Sequence, residues 1–436
     1  MSQPDAGQVL ATLFRRQSGR MTAALVRMLG VRRLDQAEDI VQETLLTALQ
    51  AWHTELPRDP EGWLFVVMRN RARDVLRHER VRTRVLDAGT SPEETEAEAE
   101  ETPDESADLL RMMFSCCHPA LTDDGRTALI LRLVCGLGTG EVACAFLADR
   151  AAMEKRIARA KRIIADDGQL FEVSTPEQAR ERMPAVLTAI YLTFDAGYHG
   201  SVVPEPSRDG PRQTTGPARE GPRQTTGPMR ADLCADAIRL ATLLAASPAT
   251  ATAEVDALLG LMYLHAARMP ARLDAAGALV PLEHQDRSLW DADLIARGME
   301  HLGASARGGE LTTYHLEAGI AAVHAMSPSV EATPWGTIAD LYDRLYARKP
   351  TPVVALGRAI ARAQVDGPAR GIDAILAIPG RERLEDYPFY WAALGDLSLR
   401  AGDRGRALGW FQRGTRAARN DAERAMFARR VLECVD

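Results

Sequence analysis

The chain has 436 residues, too many for one ordinary core, so roughly two to four domains are expected. A hydrophobic share of 46% with 26% charged residues excludes a disordered chain, and aromatics at only 5% favour helix over strand. A net charge of −7 excludes a uniformly basic, DNA-coating protein, but not a nucleic-acid binder whose charge is segregated along the chain.

Met1 to Leu10 lacks the pattern of a signal peptide, and no apolar run is long enough to span a bilayer. The six cysteines are scattered and do not form a disulfide framework. The expectation is an all-α cytoplasmic protein with no membrane partner and no cofactor. Four segments follow from composition. Residues 1–88 are helical in pattern and end rich in arginine. Residues 89–108 carry nine acidic side chains and no basic one, which predicts a flexible linker. Residues 109–170 form a second helical segment. Residues 171–436 form a long series of Ala/Leu-rich helices, interrupted by a duplicated GPRQTTGP within 210–228 that reads as a surface loop.

In the first segment, Asp35 and Glu38 suggest a helix start of the capping-box type. Ala37, Val41, Leu45, Ala48 and Trp52 then recur at helical steps as one buried stripe. Glu38, Asp39, Gln42 and Glu43 project from other faces, suited to docking on a basic protein surface or simply to solvent. Pro60 suits the start of the next helix, with Trp63, Leu64, Val67 and Met68 as apolar contacts. Arg69, Arg71, Arg73, Arg77, Arg80, Arg82 and Arg84 follow, diluted by Asp74 and Glu79. So many guanidiniums repel one another unless a polyanion neutralises them, and DNA phosphate is the usual partner. Asn70 can read a base edge, and Trp63 or Phe65 can stack on an unpaired base or pack in the core.

DxAEDIVQETLLTAL followed by GWLFVVMRNRARDVLRHER resembles domain 2 of group 4, extracytoplasmic-function sigma factors. The resemblance implies that the first helix binds the β′ clamp helices of core RNA polymerase through Asp39, Gln42 and Glu43. It implies that the second recognises and melts the −10 element of promoter DNA, with Trp63, Asn70, Arg71, Asp74, Arg77 and Arg80 as the DNA-binding set.

The second segment, LTDDGRTALILRLVCGLGTGEVACAFLADRAAMEKRIARAKRII, holds three helical patterns. Ala128, Leu129, Leu131 and Leu133 mark the first, broken by Gly136 and Gly138. Thr139 is a candidate N-cap for a short second helix in which Val142, Ala143 and Phe146 pack inward. Asp149 can cap a third, with Met153, Ile157, Ala160 and Ile164 buried. A short helix, a tight turn and a basic helix form a helix-turn-helix pattern, suited to DNA or to protein contacts alone. Arg150, Glu154 and Lys155 would lie nearest the bases, flanked by Arg156, while Arg159 and Arg162 would hold phosphates. The order matches sigma domain 4, which implies recognition of the −35 element and contact with the β flap, the acidic linker lying in a polymerase channel. Cys116, Cys117 and His118 lack the spacing of a metal site and read as buried structural residues.

In the last segment, Trp391, Leu394 and Gly395 are followed by Ala407 and Phe411 at tetratricopeptide spacing, with a weaker copy in Leu356, Ala359, Ala363, Ile372 and Leu376. Ser398, Gly414 and Arg419 depart from that pattern, and a helix over Asp421–Leu432 would cover the end of the stack. The region resembles the extension of the sigma subgroup that carries a tetratricopeptide-like domain, on YLTFDAGY, RADLCADAIRLATLL, QDRSLWD, YHLEAGIAAVHA and PTPVVALGRAIA. Gly357 stands where that group has Asn. A helical-repeat surface implies a protein or peptide partner and a regulatory role. Asp286, Arg287, Trp290 and Asp291 read as a ligand cluster or, preferably, a lock between helices.

The competing readings are a helix-turn-helix regulator that does not bind core polymerase and a tetratricopeptide adaptor. An enzyme is disfavoured, because no phosphate loop, activated nucleophile or carboxylate pair is present in the sequence.

Overall fold

The computed structural model describes residues 6–52, 56–86, 104–146, 148–170, 175–200 and 229–435. The duplicated GPRQTTGP segment and most of the acidic stretch lie outside the described residues. Among those described, all regular structure is helical apart from one isolated bridge between Leu273 and Leu279. Two compact units emerge. The first runs to Ala196 and takes in Ala235–Thr250; the second is built chiefly from Ala251 onward, joined by Tyr198, His199 and Arg230. This division differs from the segments read in the sequence: both N-terminal helical segments share one unit, and so does most of the helix that opens the third.

The first unit begins with α1 (Ala6–Leu29), α2 (Leu34–Ala51) and α3 (Pro60–Leu86). Ala37, Val41, Leu45, Ala48 and Trp52 are all buried, as the spacing demands, joined by Leu34, Ile40 and Thr44. Pro60 does open α3, where Asp59 Oδ1 accepts from the Gly62 amide. The capping box does not form. A 3-10 turn at Val31–Arg33 runs straight into α2, Arg33 stands at the N-cap, and Glu38 is used elsewhere.

The acidic stretch ends earlier than its charge suggests. Asp104 accepts from the amides of Ser106 and Ala107 and caps α4 (Glu105–Ser115), so residues 105–108 are helix, not linker. Asp108 is buried, 2.8 Å from Arg27 of α1 and 3.0 Å from Arg111. Glu105 pairs with Arg20. Carboxylates at the N-terminal turn of α4 therefore also tie it to α1.

The three-helix pattern of the second segment is α5 (Asp123–Leu133), α6 (Thr139–Ala145) and α7 (Arg150–Asp167). Gly136 turns the chain at φ 69°, a region that favours glycine. Gly138, not Thr139, is the N-cap of α6, and Glu141 Oε2 accepts from its amide at 2.7 Å. Asp149 caps α7 through the Ala152 amide, and Met153, Ile157, Ala160 and Ile164 are its buried face. The next two helices are α8 (Pro176–His199) and α9 (Ala231–Ala246).

The second unit stacks α10 (Ala253–Ala266), α11 (Ala292–Ser305), α12 (Thr313–Met326), α13 (Trp335–Arg348), α14 (Pro352–Asp366), α15 (Pro368–Leu376), α16 (Pro388–Arg400), α17 (Arg404–Ala417) and α18 (Asp421–Val435), each packed on the next. The departures from repeat spacing acquire reasons here. Gly414 leaves room for the Phe427 ring of α18, and a methyl group there would collide with it. Ser398 is fully buried and donates to the Leu394 carbonyl at 2.7 Å. Arg419 forms a bidentate pair with buried Glu423 and lies over Tyr387 and Phe389, closing the stack where a proline would merely end a helix. Gly357 faces the Tyr342 ring, which fills the space a longer side chain would need.

Between α10 and α11 a strap, residues 269–291, crosses the stack. Leu279 is buried among Phe411, Met426 and Phe427 and donates its amide to the Ala422 carbonyl at 3.1 Å. Asp274 pairs with Arg429. Asp286 and Asp291 act as caps, the latter accepting from the amides of Asp293 and Leu294. Arg287 donates to the carbonyls of His324 and Ser327 at the C-terminal end of α12 and lies over Trp290. That cluster is a lock between helices, with the guanidinium satisfying carbonyls that a helix end leaves open.

Burial, with Arg268 and Arg287 nearby, pushes the His324 imidazole down to about 3. It is neutral in the folded chain at pH 5, whereas an unfolded histidine titrates near ~6.5. Stability from this buried neutral ring is complete above about pH 6.5 and falls as pH drops from there toward 3, by up to ~1.4 kcal/mol per pH unit for one proton. The variant His324→Phe should take up about one proton fewer on unfolding at pH 5. Calorimetry in buffers of different ionisation enthalpy checks this, and unchanged uptake would contradict the burial argument.

Candidate nucleic-acid interface

The predicted docking residues lie on one exposed face of α2. Asp39, Gln42 and Glu43 are all exposed, and two leucines share their face at helical spacing: Leu46 is 59% exposed and Leu49 48%. Sequence reading missed both. The signal was available, since neither leucine belongs to the buried stripe, and Leu46 follows Asp39, as Leu49 follows Gln42, by two turns. An acidic rim beside exposed leucines has the composition of a contact face.

On α3, Asn70, Asp74 and Arg77 are exposed, and Arg77 lies 3.6 Å from Asp74. Arg71 crosses to α2, where it pairs with Glu43 and donates to Thr47 Oγ1 at 2.8 Å. The structure thus joins a residue of the predicted docking set to one of the predicted DNA set. Trp63 is half-buried, edge-on to buried Trp52 with ring centroids 5.5 Å apart. Phe65 is buried beneath the guanidiniums of Arg20 and Arg69, so of the two stacking candidates it is enclosed in the core. The side chains of Arg80, Arg82 and Arg84 lie outside the described residues.

On α7, Arg150, Glu154, Lys155, Arg159 and Arg162 are exposed. Arg150 pairs with Glu154 at 3.1 Å, and Arg156 with Asp124 at 3.2 Å while lying over Phe146. For Lys155, Arg159 and Arg162 there is no ion-pair partner among the described residues. The outer face of α7 is therefore mainly cationic from Arg150 to Arg162, interrupted by Glu154.

Cys116, Cys117 and Cys135 are buried free thiols. Burial pushes Cys117 and Cys135 up to about 12, which keeps both protonated and poor as ligands or nucleophiles. His118 accepts from the Ala120 amide at 3.2 Å instead of turning toward them. Among the described residues no group of three His, Cys, Asp or Glu side chains could hold a metal ion, and no helix is long and apolar enough to cross a membrane.

Glu38 is the residue that sequence reasoning placed in the wrong role. It is only 16% exposed, pairs with Lys161 of α7 and lies 3.6 Å from Arg132 of α5. One carboxylate of α2 thus holds one cation of α5 and one of α7. Close by, Gly19 of α1 abuts the Val134 carbonyl with no room for a Cβ.

Residues 13–82, covering most of α1 through α3, match the family model for Sigma-70 region 2. Over 131 residues the chain is 34% identical to the RNA polymerase sigma factor CarQ of Myxococcus xanthus, spanning 30% of this chain and 72% of CarQ. The chain belongs to the RNA polymerase sigma-factor family. It is a member of the extracytoplasmic-function type with a C-terminal extension. Residues 182–306 of that extension match a family of unknown function, DUF6596. The sigma factor is also 37% identical over 407 residues to the uncharacterized protein R00370 of Rhizobium meliloti (strain 1021), covering 90% of this chain and 89% of that protein. No solved structure matches.

The pairing of Glu38 with Lys161 predicts measurable coupling within the first unit of this sigma factor. In a double-mutant cycle of Glu38→Ala and Lys161→Ala, the coupling energy should be about 1–3 kcal/mol, since both groups are largely withdrawn from solvent. Denaturant melts of the four proteins read it, and strict additivity would mean that the pair contributes nothing.

Proposed function

We propose that this sigma factor binds core RNA polymerase and directs promoter-specific initiation, and that its C-terminal extension regulates that activity. The observation that carries the reading is the exposed face of α2, where Leu46 and Leu49 stand beside Asp39, Gln42 and Glu43. Exposed leucines on an otherwise amphipathic helix are poorly solvated unless a partner covers them. The β′ clamp helices of the polymerase are that partner in this reading, with the carboxylates steering encounter.

In the same reading α3 takes the −10 element. Asn70 reads a base edge, Arg71 and Arg77 meet phosphates or bases, Asp74 orients Arg77, and Arg80 extends the basic face. Trp63, packed on Trp52, supports the helix and exposes only part of its ring. The α7 helix enters the major groove at the −35 element. Arg150, Glu154 and Lys155 face base edges, Arg156 sits beside them, and Arg159 and Arg162 hold phosphates. The β flap is a second polymerase surface in this reading. The chemistry of RNA synthesis belongs to the polymerase, so no catalytic residue is assigned to this chain.

Run-off transcription with core polymerase and DNA upstream of the chain's own operon tests the reading as a whole; absence of both transcript and core binding would favour an ordinary helix-turn-helix regulator. At residue level, Leu46→Asp should weaken core binding by roughly tenfold or more with little effect on folding, because Leu46 is already exposed. Asp39→Arg combined with Glu43→Arg should do the same. Lys155→Ala with Arg159→Ala should spare core binding and reduce −35-dependent transcription. The same pair of changes should flatten the salt dependence of DNA binding by about one unit of slope for each phosphate left without its cation.

A further inference from the structure

The second unit contains a two-lobed cavity. The larger lobe, about 340 Å³, lies between the strap, the end of α10, α14 and α16; the smaller, about 180 Å³, continues toward α12 and α13. Leu282, Glu283, Ile360 and Gln364 line both lobes, so the two adjoin across these side chains. The larger lobe alone has the size of small-ligand pockets.

Three features of its wall point to a ligand. The first is unspent hydrogen-bonding capacity. His324 is only 8% exposed, lines the smaller lobe, and its Nδ1 has no hydrogen-bond partner. Nearby, Gln364 stands at the junction of the lobes. A buried ring nitrogen without a partner is costly, and a ligand group at that position would relieve it.

The second feature is charge. Arg268, Arg272, Arg287 and Arg400 face the cavity, against the carboxylates of Glu283 and Asp396. Asp396 is already engaged by Arg430. Burial first, and the neighbouring arginines after it, hold both His265 and His324 neutral. The third is shape. The strap is pinned by Leu279, by the Val280 amide on the Arg272 carbonyl at 2.8 Å, and by Gln285, which bridges Arg268 and the Val280 carbonyl. It forms one wall of the larger lobe, whose volume suits a compact molecule. Tyr387, Phe389 and Trp335 supply aromatic surface.

We propose that this cavity binds a small organic anion with an apolar ring, its acid group drawn to Arg268 and Arg287 and its body held between the strap and α14. The site gives the extension a small-molecule input distinct from the polymerase and DNA faces, and its existence does not depend on how those faces are used.

The probe is 8-anilinonaphthalene-1-sulfonate, an aromatic anion, titrated into the full-length folded chain, with uncharged N-phenyl-1-naphthylamine as the charge control. One saturable sulfonate site per chain is expected, with the neutral analogue at least about tenfold weaker. Ile360→Trp, which fills the junction, and Arg268→Met, which removes charge, should each weaken the sulfonate by about tenfold or more, with helical circular dichroism and melting retained. If Ile360→Trp fails to fold, Arg268→Met alone decides. Many weak sites, or a single site indifferent to Arg268→Met, would overturn the proposal. Equal affinity for the neutral analogue would overturn the anionic specificity. Displacement of the probe by peptides but not by benzoate would assign the space to a protein segment instead.

Discussion

A single carboxylate ties together two helical segments in the N-terminal half of this sigma factor. Glu38 stands at the border between the buried stripe and the exposed face of α2, where Lys161 and Arg132 meet it. An acid so withdrawn from water is costly unless paired, and here two cations compensate it. The buried stripe from Leu34 to Trp52 fixes which side of α2 turns inward, and so which side turns out. Asp39, Gln42, Glu43, Leu46 and Leu49 share the outer face by helical geometry alone. The tail of the acidic stretch works the same way, with Asp108 between Arg27 and Arg111 and Glu105 on Arg20, clamping α4 to α1.

The second unit is organised by a different constraint, the fit of small residues against large rings. Gly395 meets Phe411, Gly414 meets Phe427 and Gly357 meets Tyr342, each with no room for a Cβ. Close packing of this kind makes each helix pair dependent on its neighbour, which is why stacked helical units are stable only in series. The strap adds what the stack cannot supply, a wall across the inner face anchored at both ends, through Leu279 at α18 and Arg287 at α12.

Helix identity and buried faces were legible in the sequence because they follow from periodicity. The stripes of α2 and α7 are buried residue for residue, and Asp149 and Pro60 begin their helices as read. Placement of Asp39, Gln42, Glu43, Asn70, Asp74, Lys155 and Arg159 on exposed faces followed from the same periodicity. What periodicity could not supply was every partner distant in sequence. Glu38 looked like half of a capping box because Asp35 stands three residues before it, and nothing local announces Lys161. Arg71 looked like one more free arginine because Glu43 lies on another helix. Asp104 and Asp108 looked like linker because composition averages over a window, while a cap and a buried ion pair depend on individual positions. The cavity was invisible for the same reason, since its walls come from helices far apart along the chain.

The ion pairs also refine how an acidic chain can present arginines to DNA. Arg71, Arg77, Arg150 and Arg156 each have a carboxylate beside them, whereas Lys155, Arg159 and Arg162 have none among the described residues. When a paired guanidinium meets a phosphate or a base it exchanges one partner for another, so the net gain is small and geometry decides whether the exchange occurs. An unpaired cation gains by releasing counterions whatever the sequence. On the proposed DNA face, the paired arginines therefore favour selectivity and the unpaired ones affinity. In that proposal the carboxylates beside these arginines hold them in place and make non-specific binding less rewarding.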